Sequence, residues 1–222
     1  MDISFFNKSF STIIKVAILF VIMVVIGYFL LTPKRRLPVY NPADVNPKLV
    51  DKDVKHIRSN HKIAKFQLIN QNADTITEKY YTNKIYVADF FFTRCASICP
   101  VMTTNMVDLQ TYYKNDTTVL FLSHSVTPII DSVSVLRAYA DKKGVIDQKW
   151  NLVTGDKKHI YELARKSYFA VLDEGDGGDQ DFIHTEQFIL IDTKRQIRGF
   201  YDGTDKKEIE QIIKDIQILK EE

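Results

Sequence analysis

The chain contains only two cysteines, and both lie in one short motif, "FFFTRCASICP" (residues 90–100). Three residues separate Cys95 from Cys99, and Pro100 follows directly. Cysteine thiolates are both nucleophiles and soft metal ligands. The motif therefore predicts a redox dithiol or a metal site. A purely structural disulfide would close so short a loop that it would constrain the unfolded chain little.

The residues around the motif predict how the cysteines are placed. The apolar run "KIYVADFFF" (84–92) is typical of a buried strand. From Pro100 onward, apolar residues recur at helical spacing, and proline suits the first turn of a helix. We therefore expect Cys99 at or beside the helix N-cap and Cys95 on the preceding turn. The partial positive charge of a helix N-terminus lowers the pKa of nearby thiols.

The spacing leaves two kinds of chemistry open. A dithiol oxidoreductase usually has two residues between its cysteines, whereas three also suit a chelate around one ion. Two soft thiolates favour Cu(I), with an imidazole as the most plausible third ligand. A structural zinc ion would need a fourth protein ligand.

Five histidines are available as that third ligand. His124 ends an apolar strand, so it either packs in the core, caps the strand end or lies near the site. His184 follows the Gly- and Asp-rich stretch "DEGDGGDQD" (173–181), a loop that we expect to open and admit an ion. The remaining three are expected in solvated or surface positions: His56, His61 and His159.

The N-terminus carries the apolar run "IIKVAILFVIMVVIGYFLL" (13–31) after a short segment, residues 1–12. As a helix it would rise about 28 Å, close to the roughly 30 Å of bilayer hydrocarbon. No small-x-small cleavage site follows it, which favours an uncleaved transmembrane anchor over a signal peptide. Basic residues flank both ends almost equally, so charge alone leaves the orientation open.

Residues 32–60 are predicted to form a tether, and residues 61–222 one folded domain. The stretch "TPKRRLPVYNPADVNP" contains four of the six prolines, which disfavours regular structure. The remaining length is enough for a single core. The net charge of +2 and the lack of a basic stripe argue against a nucleic-acid partner.

The patterns in residues 61–222 predict alternating strands and helices. Strands joined through helices imply a parallel part of the sheet, and the late hairpin adds antiparallel strands. We expect an α/β fold, a thioredoxin-like mixed sheet flanked by helices. The predicted strands cover 65–70, 84–92, 117–126, 186–192 and 196–202, and the predicted helices begin at 100 and cover 131–144, 157–168 and 205–222.

Three stretches closely resemble the Sco/SenC family across roughly residues 60–220. They are "VADFFFTRCASICPVMTTNM", "WNLVTGDKKHIYELARKSY" and "DFIHTEQFILIDTKRQIRGFYDG". Members of this family are membrane-anchored, thioredoxin-like proteins that serve cytochrome c oxidase biogenesis. The shared motif is CxxxCP after an aromatic strand, with a histidine more than 80 residues later.

The resemblance implies that Cys95, Cys99 and His184 are copper ligands, binding Cu(I) and, with added donors, Cu(II). It implies a copper chaperone that delivers the metal to the oxidase subunit holding the binuclear copper centre, or reduces that subunit's cysteines. Transfer would be gated by the redox state of the two cysteines, and a thiol reductase is a possible further partner. It also implies a domain on the extracytoplasmic, periplasmic side of the membrane. The absence of an Arg-rich transit peptide favours a bacterial plasma (inner) membrane.

Other functions stay open at this point. A thiol–disulfide oxidoreductase would need Cys95 and Cys99 only, since fold alone does not decide function. A copper or redox sensor would bind the metal without passing it on. One departure concerns the segment "SHSVTPIIDSVSVL", where relatives commonly have "SVDPERDTPEVL". An aspartate is thus replaced by Thr127, and the DTP element becomes Asp131–Val133.

Overall fold

A computed structural model of the protein describes residues 3–31, 35–46, 56, 58–171, 178 and 181–222, with only the helical backbone for residues 3–12, 29 and 30. The chain divides into two units, Met1–Arg36 and Leu37–Glu222. The first unit contains one helix, α1 (Ile3–Leu31), whose described apolar side chains are exposed. None of the helices, as far as their residues are described, combines the length and hydropathy needed to cross a membrane. The anchor over residues 13–31 stays a prediction.

The second unit is built on one seven-stranded sheet in the order β2-β1-β5-β4-β3-β6-β7. Strands β3, β4 and β5 are parallel, whereas β6 and β7 form an antiparallel hairpin. The predicted mixed sheet is confirmed. The strands are β1 (Gln67–Asn70), β2 (Thr75–Thr77), β3 (Ile85–Phe91), β4 (Val119–Ser125), β5 (Trp150–Thr154), β6 (Gln187–Ile191) and β7 (Ile197–Asp202).

Two strands, β2 and β5, were not predicted from the sequence. Strand β5 is only five residues long, and all five are buried, so its sequence shows no alternation. It exists because Trp150–Val153 pairs in parallel with Phe121–His124 of β4. Strand β2 spans three residues and is held by antiparallel pairing with β1.

The helices cover both faces of the sheet. One apolar cluster joins the sheet to α2 (Cys99–Tyr112), α3 (Val133–Lys143) and α5 (Lys206–Glu221). The other cluster joins the opposite face to α4 (Lys157–Glu162). Fully burying a large apolar side chain stabilises the fold by about 1.5–3 kcal/mol, so the core needs both helical layers.

The helix predicted over residues 157–168 is split in the structure. It starts as α4 and continues as a π-helical turn, Leu163–Ser167, in which the N–H of Tyr168 donates to the Leu163 carbonyl. A π-helical turn contains one more residue per hydrogen bond than an α-helical turn, so the side chains that follow it change direction. Leu163, Ala164 and Tyr168 all belong to the same core cluster.

Part of the predicted tether lies against the domain. The N–H of Tyr40 donates to the Ile197 carbonyl at the edge of β7. The buried guanidinium of Arg198 donates to the carbonyl groups of Leu37 and Pro38 and pairs with Glu222. Residues 47–55 and 57, also within the predicted tether, lie outside the described residues.

Candidate metal and dithiol centre

The two cysteines lie where the sequence predicted them. Strand β3 ends at Phe91, and helix α2 begins at Cys99 with Pro100 in its first turn. Both cysteines are free thiols. Cys95 is partly exposed on the connecting loop, whereas Cys99 is only 3% exposed and belongs to the apolar cluster between the sheet and α2.

The sulfur of Cys95 replaces a conventional cap at the start of α2. Ile98 occupies the N-cap position without any side-chain hydrogen bond to the helix. Partial burial tends to raise the pKa of the Cys95 thiol. The Ser97 hydroxyl, the Cys99 thiol and the backbone N–H groups of Cys99 and Ser97 donate to the sulfur, and together they lower that pKa to about 6. At neutral pH Cys95 is therefore mainly a thiolate.

Cys99 has the opposite character. Burial is the main reason that its pKa rises to about 12, although a hydrogen bond from the Phe92 backbone acts against it. The hydrogen bond that the Cys99 thiol donates to Cys95 raises its pKa further, and so do the negative charges of Cys95 and Asp89. The pair thus combines an accessible thiolate with a protected thiol.

Asp89 is a neighbour of the site that the sequence analysis missed. It lies in β3 between Val87 and Phe91, and alternation places it on the sheet face that packs against α2. Burial raises the pKa of this carboxyl to about 7, against hydrogen bonds from the Ser123 hydroxyl and its own N–H. Its Oδ1 atom has no hydrogen-bond partner among the described residues. A lone carboxyl inside the run "KIYVADFFF" was the available signal.

The low pKa of Cys95 predicts the pH dependence of its reactivity. Because only the thiolate reacts, we expect iodoacetamide alkylation to rise between about pH 5 and pH 7, with a midpoint at about 6. An ordinary cysteine has its midpoint at about 8.5. Ser97→Ala removes one donor and should move the midpoint upward. A wild-type midpoint near 8.5 would contradict the assigned hydrogen bonds.

Asp131 fastens the cysteine loop to the end of β4. Its fully buried carboxylate accepts four hydrogen bonds, from the Thr93 N–H and hydroxyl and from the hydroxyls of Ser125 and Thr127. Thr93 lies two residues before Cys95. Thr127, which departs from the family pattern, therefore serves here as a donor to Asp131 at 3.0 Å.

Removing this carboxylate should destabilise the fold. Asp131→Ala leaves the donors of Thr93, Ser125 and Thr127 without their acceptor, and Ser125 is buried, so we expect the free energy of unfolding to fall by about 3 kcal/mol. Asp141→Ala is the matched control, because that carboxylate is exposed on α3 and its surface ion pair with Arg137 contributes little. Denaturant unfolding compares the two. An equal decrease in the free energy of unfolding in both variants would contradict the stabilising role of the Asp131 hydrogen bonds.

His184 is exposed and lies three residues before β6. The neighbouring side chains of its segment, Ile183 and Thr185, are buried, and the Thr185 hydroxyl donates to the Ala170 carbonyl. Phe182 meets Phe92 of the cysteine loop edge-to-face, with ring centroids 5.2 Å apart. The histidine segment and the cysteine loop are therefore in contact through this aromatic pair.

The structure brings Cys95 and Cys99 together, but it does not gather a complete set of ligands. Within the described part of the chain, no group of three or more His, Cys, Asp or Glu side chains is close enough to hold a metal ion. Most of the loop expected to open before His184 lies outside the described residues, which include only 178 and 181 of it. The ligand role of His184 stays a prediction.

The other histidines have structural surroundings. His124 is fully buried and stacks on Phe90 with ring centroids 4.7 Å apart, which agrees with a packing role. His61, which we expected to be solvated, is partly buried instead. Its Nε2 atom lies 2.8 Å from the Ser167 carbonyl, and its ring contacts Phe169. Both rings contact the apolar cluster on the sheet face opposite to that of Cys99.

Comparison with known proteins agrees with the fold and the motif. The family model described as SCO1/SenC matches residues 54–221. A SCO1/SenC family lipoprotein from Bacillus anthracis str. Ames is 33% identical, with a TM-score of 0.64, covering 72% of this chain and 96% of its own. The predicted thioredoxin-like sheet with flanking helices is confirmed, since it matches the Sco structures.

Two further structures are informative. BsSco, described as a Sco-family cytochrome c oxidase assembly protein with a disulfide switch, is 30% identical with a TM-score of 0.62, covering 72% of this chain and 94% of its own. Bradyrhizobium japonicum ScoI, solved with copper bound, shares the fold at 21% identity and a TM-score of 0.58, covering 72% of this chain and 99% of its own. The matched residues include the cysteine motif, the two helical layers and His184, and the chain belongs to the SCO1/SenC family.

Proposed function

We propose that this protein holds a copper ion on Cys95, Cys99 and His184 and delivers it to the subunit of cytochrome c oxidase that contains the binuclear copper centre. The observation that carries the proposal is the dithiol at the start of α2, with a thiolate at Cys95 and an adjacent sulfur at Cys99. Family membership and the copper-bound relative ScoI support it.

The donor set suits copper better than harder ions. Two sulfur ligands favour Cu(I), and an imidazole completes a site of low coordination number. Cys95 is ready as a thiolate, whereas Cys99 must lose its proton when the metal binds. His184 is exposed on a segment that already touches the cysteine loop through Phe182.

Transfer would proceed by exchange of ligands. An incoming pair of target thiolates replaces the sulfurs of Cys95 and Cys99 one after the other, so that the ion is never free. Exchange with a disulfide partner would convert the two thiols to a Cys95–Cys99 disulfide, reduce the partner disulfide to two thiols, and eliminate both soft ligands. The redox state of the pair therefore gates binding and release.

A second function, thiol–disulfide exchange, is favoured by the difference between the two cysteines. The Cys95 thiolate would attack a target disulfide and form a mixed disulfide, releasing one target sulfur. Cys99, after losing its proton, would then attack Cys95 and release the second. The target disulfide gains two electrons and two protons, and Cys95–Cys99 becomes the disulfide. This reaction needs no contribution from His184.

We also propose that the apolar N-terminal segment holds the domain at the bacterial plasma membrane, with the domain on the extracytoplasmic side. The exposed apolar side chains of α1 support attachment, as does the description of the Bacillus anthracis relative as a lipoprotein. Membrane fractionation of the full chain and of a chain starting at Leu37 tests this directly. Equal partition of both into the soluble fraction would contradict it.

Metal content separates the two functions. The full chain, purified under reducing conditions and incubated with Cu(I), should retain about one copper per chain and release it when the dithiol is oxidised. Absence of bound copper together with rapid reduction of a disulfide substrate would favour the oxidoreductase. Retention of copper in the presence of an apo target with free thiols would favour a sensor.

A further inference from the structure

The segment that carries His184 is held by residues of α4 and the π-helical turn that face the sheet. Tyr161 is buried, and its hydroxyl donates to the Val126 carbonyl at 2.9 Å. The same hydroxyl also lies 3.2 Å from the carbonyl oxygen of Asp181, three residues before His184, and it accepts a hydrogen bond from the N–H of Ile183. One hydroxyl therefore joins the end of β4 to the histidine segment.

This junction continues to the cysteine loop. The N–H of Val126 donates to the carbonyl of Phe91, the last residue of β3, at 2.9 Å. A chain of three hydrogen bonds thus runs from Phe91 through Val126 and the Tyr161 hydroxyl to Ile183. Its two ends lie four residues before Cys95 and one residue before His184.

A buried ion pair fixes the same segment a short distance upstream. Arg165, on the π-helical turn, donates to the carboxylate of Asp181 at 2.7 Å, and both side chains are less than a tenth exposed. The guanidinium of Arg165 also lies over the Tyr161 ring, 5.3 Å from its centroid. The backbone before His184 is therefore held at residues 181 and 183, and the Thr185 hydroxyl holds it on the other side.

We propose that Tyr161 and Arg165 are positioning residues that set the place of His184 relative to Cys95 and Cys99. They touch neither the sulfurs nor the imidazole, and they act by fixing the backbone on which His184 stands. A histidine on a loosely held segment would have to be ordered when the metal binds, and ordering backbone costs affinity. The expected effect on copper affinity rests on the function proposed above, whereas the fixing of the backbone around His184 does not.

Tyr161→Phe tests the proposal with the smallest possible change, because it keeps the ring and removes only the hydroxyl. In the metal-free full chain we expect the Ile183 amide to exchange with solvent about threefold to tenfold faster, the effect of losing one hydrogen bond. Tyr113→Phe is the matched control. That tyrosine is equally buried, and its hydroxyl donates to the Ile213 carbonyl of α5, away from the histidine segment.

Copper affinity provides the second measurement. Competition with a Cu(I) chelator should show a threefold to tenfold loss for Tyr161→Phe and no change for Tyr113→Phe. In a His184→Ala background, Tyr161→Phe should cause no further loss of copper affinity, because positioning acts only through the imidazole of His184. Arg165→Lys, which keeps the charge but removes the guanidinium fork, should shift both measurements in the same direction.

The outcomes separate the two proposals. Unchanged exchange of the Ile183 amide in Tyr161→Phe would overturn the positioning role. An equal loss of copper affinity in the His184→Ala background would also overturn it, since the effect would then act through the cysteine loop or the whole fold. Faster exchange at Ile183, with His184→Ala itself leaving copper affinity intact, would support the hold on the segment and overturn the ligand role of His184.

Discussion

Replacing Cys95 by serine is expected to abolish thiol–disulfide exchange and to weaken Cu(I) binding by more than about a hundredfold, since even outer-shell partners of a metal cost about 10–100-fold when removed. The variant loses the only sulfur that is a thiolate at neutral pH, because Cys99 keeps its proton in the core. Chelator competition measures the affinity, and reduction of a small disulfide substrate measures the exchange.

Cys99→Ser is the informative companion to this variant. It also removes a copper ligand and prevents an intramolecular disulfide, but it leaves Cys95 reactive toward iodoacetamide. The pKa of Cys95 should stay low, because the serine hydroxyl keeps a donor beside its sulfur and the bonds from Ser97 and the backbone remain. Cys95→Ser, in contrast, leaves a single protected thiol. Wild-type copper affinity in either variant would exclude the dithiol as the copper site.

Replacing His184 by alanine is expected to weaken copper binding by about a hundredfold while leaving thiol–disulfide exchange near the wild-type rate. The imidazole contributes a ligand only to the metal complex, whereas the exchange reaction uses the two sulfurs alone. The Cu(II) spectrum should change as well, because a nitrogen ligand is replaced by another donor. Chelator competition, exchange kinetics and absorption spectra measure the three effects.

His159→Ala is the control for this variant. It removes an imidazole from α4, a helix whose first turn is capped by the Asp156 carboxylate, which accepts from the N–H of His159. We expect unchanged copper affinity. If His184→Ala also kept wild-type affinity and spectrum, the three-ligand site would be wrong, and dithiol exchange would be the better account of the protein.

Several features were predictable because they depend on neighbouring residues in the chain. The apolar run before Cys95 and the proline after Cys99 predicted a strand, a turn and a helix start, and the structure confirms β3 and α2 in those places. The helix predicted over residues 131–144 forms as α3, and Gly144 caps its end in the left-handed conformation at φ 74°. Local patterns carry this information because helix ends, turns and amphipathic faces are decided within a few residues.

Other features depend on residues that are distant in the sequence. Strand β5 forms because it pairs with β4, although its own five residues show no strand periodicity. Hydrogen bonds to its sulfur lower the pKa of Cys95, whereas burial is the main cause that raises the pKa of Cys99. The sequence shows two equivalent cysteines, and only the three-dimensional packing distinguishes an exposed thiolate from a buried thiol.

The site divides along the same line. The amino-acid sequence by itself determined that a dithiol stands at a helix start, and its resemblance to the Sco/SenC family indicated His184 as the candidate third ligand. Only the tertiary structure decided what holds them: Asp131 bonded to Thr93, the Tyr161 hydroxyl bonded to Ile183, and Phe182 packed on Phe92. The reason is that turns and helix starts follow from residues a few positions apart, whereas hydrogen bonds and burial across the fold exist only once distant segments have come into contact.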